Sequence, residues 1–188
     1  MIFVEPRDPR FITLRRGGSL TEANHRHLAT WAATCAEHVL PIFESAAPGD
    51  DRVRLALAQS RAWVRGEVSM REALKASHAR AAAREVEGAA RFAAYAAAQA
   101  VAVAQVAAHE LGAAAYAIRA AKAAAVGDDA ERAACAERDW QRSQLPRAIR
   151  ALVLDDQRLR NHACWFVFGN FDITMPSDGG ARGARSAR

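Results

Sequence analysis

The 188-residue chain predicts an all-α fold, a single-domain alanine-rich multi-helix bundle with short extended segments at both termini. Three observations carry that expectation. Alanine makes up about half of residues 76–126, a region largely kept clear of glycine and proline. Alanine loses no side-chain entropy in a helix, so such a stretch is helical almost by default. Two capping-box patterns, "SLTE" at 19–22 and "SMRE" at 69–72, mark helix starts before apolar runs. The length suits one domain, which would bury roughly 70% of its unfolded surface.

The elements follow in order. Residues 1–18 read as an extended arm: two prolines, an alternating "FITLR", then Gly17-Gly18. Ser19 and Glu22 open a first helix that Pro41 should kink or end near Leu40. "APGDD" is a loop in which Asp50 or Asp51 can cap a second helix, stopped by Gly66. "SMRE" opens a third, reaching about Glu87. The pattern resumes from Ala89 to about Val126, which as one straight helix would span about 57 Å. A domain of this size has a radius of gyration of only about 16 Å, so a bend is expected, placed near "HELG". "GDD" at 127–129 ends that run and starts a helix to "QRSQLP". Pro146 then suits the first position of a last helix, through about Ala163. The bundle is thus placed at 19–163. An extended aromatic segment follows at 164–176, and a Gly/Arg tail at 177–188 that cannot pack and is expected to be disordered.

The stretch "HRHLATWAATCAEHVLPIFE" at 25–44 concentrates the polar chemistry. At 100° per residue, His27, Trp31, His38 and Ile42 fall on one stripe, with Cys35 and Val39 beside it and His25 on the far side. The spacing predicts that this stripe is buried. A zinc site using Cys35 and His38 would need two further ligands, and no CxxC or HxxxH spacing supplies them. Hydrogen-bonded structural histidines are the stronger reading, with no metal and no cofactor. His78 and His109, near Arg84 and Glu110, could pair with carboxylates for acid–base work. No nucleophile, phosphate loop or ExxH pattern joins them, so the chain is read as a non-enzyme. His27, His38, His78, Arg84, His109 and Tyr116 are therefore candidates for a buried polar cluster. Asp51, Arg54, Arg65 and Glu67, with Trp63 as an aromatic anchor, form the candidate partner-binding set. The stripe Phe92, Tyr95, Gln99, Val103, Val106 reads as core.

Charge and cysteine usage bound the function further. The net charge is +5, but three of the positive charges are Arg182, Arg185 and Arg188 of the tail, so the remainder is close to neutral. That weakens a nucleic-acid reading. Three cysteines without CxxC spacing suit reduced thiols in a cytoplasm. The longest uncharged run, Phe92 to His109, is too weakly apolar for a membrane span.

Read in sequence, "DPRFITLRRGGSLTEANHRHLATWAATCAEHVLPIFE", "DDRVRLALAQSRAWVRGE", "KASHARAAARE", "AQVAAHELGAAAYAIRAAKAA" and "ERDWQRSQLPRAIRALVL" resemble the bacterial immunity proteins of the immunity-protein-five-like type. The resemblance covers about residues 8–154. It implies an all-helical protein of the bacterial cytoplasm that protects against a toxin of a polymorphic toxin system, with no catalytic residues to carry over. The matching residues are His27, Trp31, Cys35, His38, Asp51, Arg54, Trp63, Gly66, Glu67, His78, Arg84, His109, Gly112, Tyr116, Trp140 and Pro146. Gln105 departs from the pattern, standing where the family has a histidine ahead of His109. The resemblance implies a cognate toxin as partner, with the protein a monomer or homodimer. Two rivals remain: a helical enzyme or small-ligand binder with a polar pocket around His78 and His109, and a nucleic-acid-associated protein using the arginine tail.

Overall fold

The computed structural model describes residues 8–169. The α-helices among them are α1 (Glu22–His38), α2 (Leu40–Ala46), α3 (Arg52–Arg65), α4 (Met70–Ala76), α5 (Ala79–Glu85), α6 (Gly88–Ala102), α7 (Glu110–Ala124), α8 (Ala130–Ser143) and α9 (Arg147–Arg160). The all-α expectation holds, and no strand is present among the described residues. The tail at 177–188, and most of the segment expected to be extended at 164–176, lie outside them.

Helices α6 and α7 form the central pair, and α1 packs across both. Helices α2, α3 and α5 lean on α6, while α8 and α9 lean on α7. The buried faces of α6 and α7 are mostly alanine, including Ala93, Ala97, Ala113 and Ala117, all fully buried. Thin side chains let the backbones approach closely, and close packing then leaves no voids. Of the stripe read as core, Val103 is fully buried, while Phe92, Tyr95, Gln99 and Val106 lie at the edge and are only half-buried; alanines make most of this interface. The expected bend is real: α6 ends at Ala102, and a linker with a 3-10 turn at Ala107–His109 leads into α7.

Several boundaries differ from the sequence reading, each for a local reason. The cap of α1 is Thr21, whose hydroxyl accepts from Asn24 N at 3.2 Å, while the Ser19 hydroxyl donates to Pro9 O. The break near Pro41 falls at Val39, because proline fits the first turn of α2, where its missing N–H has no helical partner to lose. The helix opened by the Ser69–Glu72 capping box, which is fully formed, stops at Ala76. Ser77 is extended there, and His78 restarts the chain as α5. Pro146 precedes α9 as its N-cap residue instead of standing inside it. Residues 164–169 are not extended: a 3-10 turn at Asn161–Cys164 leads into Trp165 and Phe166 at φ 56° and 57°, and Phe168 turns back into the core. Among the described residues the arm does not hydrogen-bond to 164–169. It folds on itself through 3-10 turns at Pro9–Phe11 and Leu14–Arg16, closed by Leu20 N donating to Ile12 O at 2.9 Å.

Candidate functional site

One end of the bundle opens into a cleft of about 1090 Å³. Its walls are the folded arm (Phe11, Ile12, Leu14, Leu20), the start of α1 (His25), the end of α3 (Trp63), the linker between α6 and α7 (Ala104–Ala108) and the end of α9 (Asp156, Leu159, Arg160). The volume is at the upper end of those that hold small ligands, and the walls are mostly apolar with a few polar groups. The arm is a preformed wall. An added Cβ on Gly18 would stand 2.0 Å from Ile12 O and 2.5 Å from Ile12 C, so only glycine allows the turn to close.

His25 and Trp63 build one side together. The His25 Nε2–H donates to Val103 O at 2.6 Å, which fixes the ring and satisfies a linker carbonyl. Burial pushes the His25 pKa down, outweighing the favourable bond to Val103, so the ring is neutral. The Trp63 ring meets it edge-on at 5.0 Å and lies 5.8 Å beneath the Arg26 guanidinium, leaving the indole half-buried.

The carboxylates of the cleft are each matched inside the chain. Arg10 binds Asp8, whose pKa it holds below the ordinary value, and also reaches Asp155 at 2.8 Å. Arg26 pairs with Glu22 at 2.8 Å. Arg160 binds Asp156, with Nε to Oδ1 at 2.6 Å, and also donates to Ala108 O at 3.2 Å. Burial opposes the Arg160 charge, but the Asp156 hydrogen bond and the charges of Glu110 and Asp156 prevail and hold its pKa above the ordinary value. Behind this pair lies Glu110, fully buried, 3.5 Å from Arg160 Nη2. No donor among the described residues hydrogen-bonds either Glu110 oxygen. Burial pushes its pKa well up, and the nearby Asp156 charge adds to the rise. Glu110 therefore keeps its proton well above the ordinary carboxyl range, beside the Asp156–Arg160 pair.

The residues singled out from the sequence do not form one site. His27 is exposed, and His38 keeps 43% of its side chain exposed; the histidine of α1 that is buried is His25. The buried arc of α1 spans about 200° at 100° per residue, and His27 and His38 fall just beyond its edge while Trp31 falls just inside. Carrying the stripe through to Ile42 ignored the break at Val39. His38 nonetheless joins a polar network: its Nδ1 lies 2.6 Å from buried Glu137, its ring stacks on Trp140 at 3.5 Å, and Gln141 donates to Glu137 at 2.8 Å. Fully buried Trp31 donates its indole N–H to Gln141 O at 2.8 Å. Among the described residues no group of three or more metal-ligating side chains is placed to hold an ion.

His78 and Arg84 are exposed on α5, so neither belongs to a buried cluster. His109 Nδ1 is 2.6 Å from Gln99 Oε1, and the pair packs over Gly112, where a Cβ would come within 2.8 Å of that oxygen. The cleft is lined by neither His78 nor His109, so the polar pocket expected around them is not where the large concavity lies. Tyr116 sits in an aromatic group with Tyr95 at 5.2 Å and Trp165 at 5.1 Å, where burial pushes its pKa up. The partner-binding set also divides. Asp51 pairs with Arg54 at 2.7 Å at the start of α3, and Arg65 with Glu67 at 2.5 Å beyond its end. Twelve residues separate Asp51 from Trp63, about 18 Å along a helix. Of that set, Trp63 alone lines the cleft.

Residues 18–148 match the family described as Imm-5 like putative immunity protein. The chain belongs to that family. No curated protein and no solved structure matches it. Within this Imm-5 like protein, His25, Trp63 and the 104–108 linker lie inside the matched residues. Arg15 and Arg16 of the arm, and Asp156 and Arg160 of α9, lie outside them. No helix among the described residues is long and apolar enough to cross a membrane.

Proposed function

We propose that this Imm-5 like protein is a cytoplasmic, non-catalytic immunity protein that binds a cognate bacterial toxin of a polymorphic toxin system and neutralises it by steric blocking. The observation that carries the reading is the cleft: a preformed apolar concavity with a half-buried tryptophan on its wall, in a chain of an immunity-protein family. Buried aromatic anchors in such pockets dominate protein–protein affinity. A protective protein must outcompete the toxin's substrate, which calls for nanomolar binding, about −12 kcal/mol. The paired charges at Asp51–Arg54 and Arg65–Glu67 are exposed, so they contribute little to affinity beyond orientation.

The test is co-expression with the toxin encoded beside its gene. Wild type should restore growth, and Trp63→Ala should weaken the rescue while the protein remains folded. A growth defect that no adjacent gene product causes, or that wild type does not relieve, would remove the reading. The volume of the cleft also favours a small-ligand binder, which would show as a stoichiometric adduct in native mass spectrometry of the purified protein.

A further inference from the structure

We propose that the occupant of the cleft is an acidic segment of the protein partner, an apolar side chain entering the concavity while flanking carboxylates pair with Arg15 and Arg16. This rests on the immunity reading above and names the chemistry of its partner.

The argument is one of charge complementarity at an apolar site. The concavity is walled by Phe11, Ile12, Leu20, Trp63, Val106 and Leu159, which favour an aliphatic or aromatic plug. Its own carboxylates are already neutralised, Asp8 by Arg10, Glu22 by Arg26 and Asp156 by Arg160. Arg15 and Arg16 are exposed and line the same cleft. Neither guanidinium hydrogen-bonds or forms a salt bridge with another described residue, in contrast to the arginines just named; only the Arg16 backbone N–H donates, to Thr13 O. His25 is neutral, so it adds no charge of its own. Among the described residues the mouth carries two guanidinium groups without a salt-bridge partner, Arg15 acting only at a distance on Glu22, beside matched pairs; the field draws an anion and repels a cation.

The two arginines are also held in place. They sit in the 3-10 turn Leu14–Arg16, which ends at Gly17 in the left-handed region, φ 82°. Leu14 N donates to Leu20 O at 3.1 Å across the base of the turn, and the Gly18 approach to Ile12 locks it. A backbone ordered before binding lowers the entropic cost of using its side chains. Bidentate guanidinium–carboxylate pairing then supplies direction as well as attraction.

The experiment uses the full chain as bait for random dodecapeptides displayed on phage. The enriched peptides are then synthesised and their affinities measured at low and high salt. Expected are peptides with an aromatic or aliphatic residue between Asp and Glu. Their affinity should drop about tenfold or more in the double variant Arg15→Glu/Arg16→Glu, and less in Arg15→Ala/Arg16→Ala. Lysine-for-acid versions of the same peptides should bind the charge-reversed variant better than wild type, a gain that a damaged arm would not give. Thermal unfolding of both variants checks that the arm has not detached.

Enrichment of neutral or basic peptides, acidic peptides that bind all variants alike, or no enrichment at all would overturn the proposal. So would a small anion bound in the cleft of the purified protein. If co-expression shows rescue while acidic peptides fail, the partner chemistry falls alone. If the peptides behave as stated and no toxin is neutralised, the immunity reading falls and the anion-reading cleft stands.

Discussion

Replacing Glu110 by glutamine should free the protein of a pH-dependent cost that the wild type carries. Glu110 is fully buried, its oxygens receive no hydrogen bond from a described donor, and it shares Arg160 with Asp156. Its carboxyl keeps a proton well above the ordinary value of 4.5, because burial and the Asp156 charge both disfavour ionisation. An unfolded chain releases that proton near 4.5, so between the two values the folded state binds more protons than the unfolded one. Stability from this group is therefore fully present below the unfolded value and is lost as pH rises toward the folded one. One proton corresponds to a slope of up to about 1.4 kcal/mol per pH unit. A glutamine amide has nearly the same shape, is neutral at every pH and has no proton to lose. Urea unfolding of both proteins should show Glu110→Gln close to wild type near about pH 5 and gaining on it by at least about 1 kcal/mol by about pH 7. Contributions from His25 and the surface pairs are common to both proteins and cancel in the difference. Parallel stability profiles would show that Glu110 ionises freely, and the account of a Glu110 carboxyl kept protonated by burial and the Asp156 charge would be wrong.

Other substitutions test the same end of the bundle. His25→Leu leaves the Val103 carbonyl without its donor and should cost roughly 1–3 kcal/mol at neutral pH. Burial lowers the His25 pKa, so the wild type loses stability as pH falls below the ordinary 6.5, and the gap to the leucine variant should narrow there. Gly18→Ala drives a Cβ into the Ile12 backbone and should open the arm, costing roughly 1–3 kcal/mol, measurable by urea unfolding, and raising proteolysis at residues 12–18. Gly112→Ala displaces Gln99 from His109 and should cost about as much, with the His109 ring resonances moving in NMR spectra.

The helical class was legible because alanine density and the Ser69–Glu72 capping box are local signals, and local signals survive into this fold. The bend before α7 was legible from length alone. What failed was phase. The helical wheel centred the buried arc of α1 too near His27 and His38, which fall just beyond its edge, and so left His25 outside, while only Ile42 lies beyond the break at Val39. The alanine-rich helices misled in another way. Where most positions are small, size alone does not mark the buried face: Phe92 and Tyr95 lie at an edge while Ala93 and Ala97 are buried, though Leu111 and Ile118 of α7 are buried too. The cleft itself was not legible. Arg15, His25, Trp63, Asp156 and Arg160 come from four distant stretches, and no spacing along the chain joins them. A faint signal existed in α9, where Asp156 and Arg160 stand four apart, the separation of an ion pair on one helix face.

The central claim is that this Imm-5 like protein acts by holding a toxin in the cleft between the arm, α3 and α9. Its most direct test is calorimetric titration of the purified toxin from the adjacent gene into wild type, Trp63→Ala and Arg15→Glu/Arg16→Glu. The account predicts nanomolar binding by wild type and losses of about tenfold or more in each folded variant, with the arginine pair's share shrinking as salt is raised. Tight binding that all three proteins share equally would put the toxin on another surface and contradict the account.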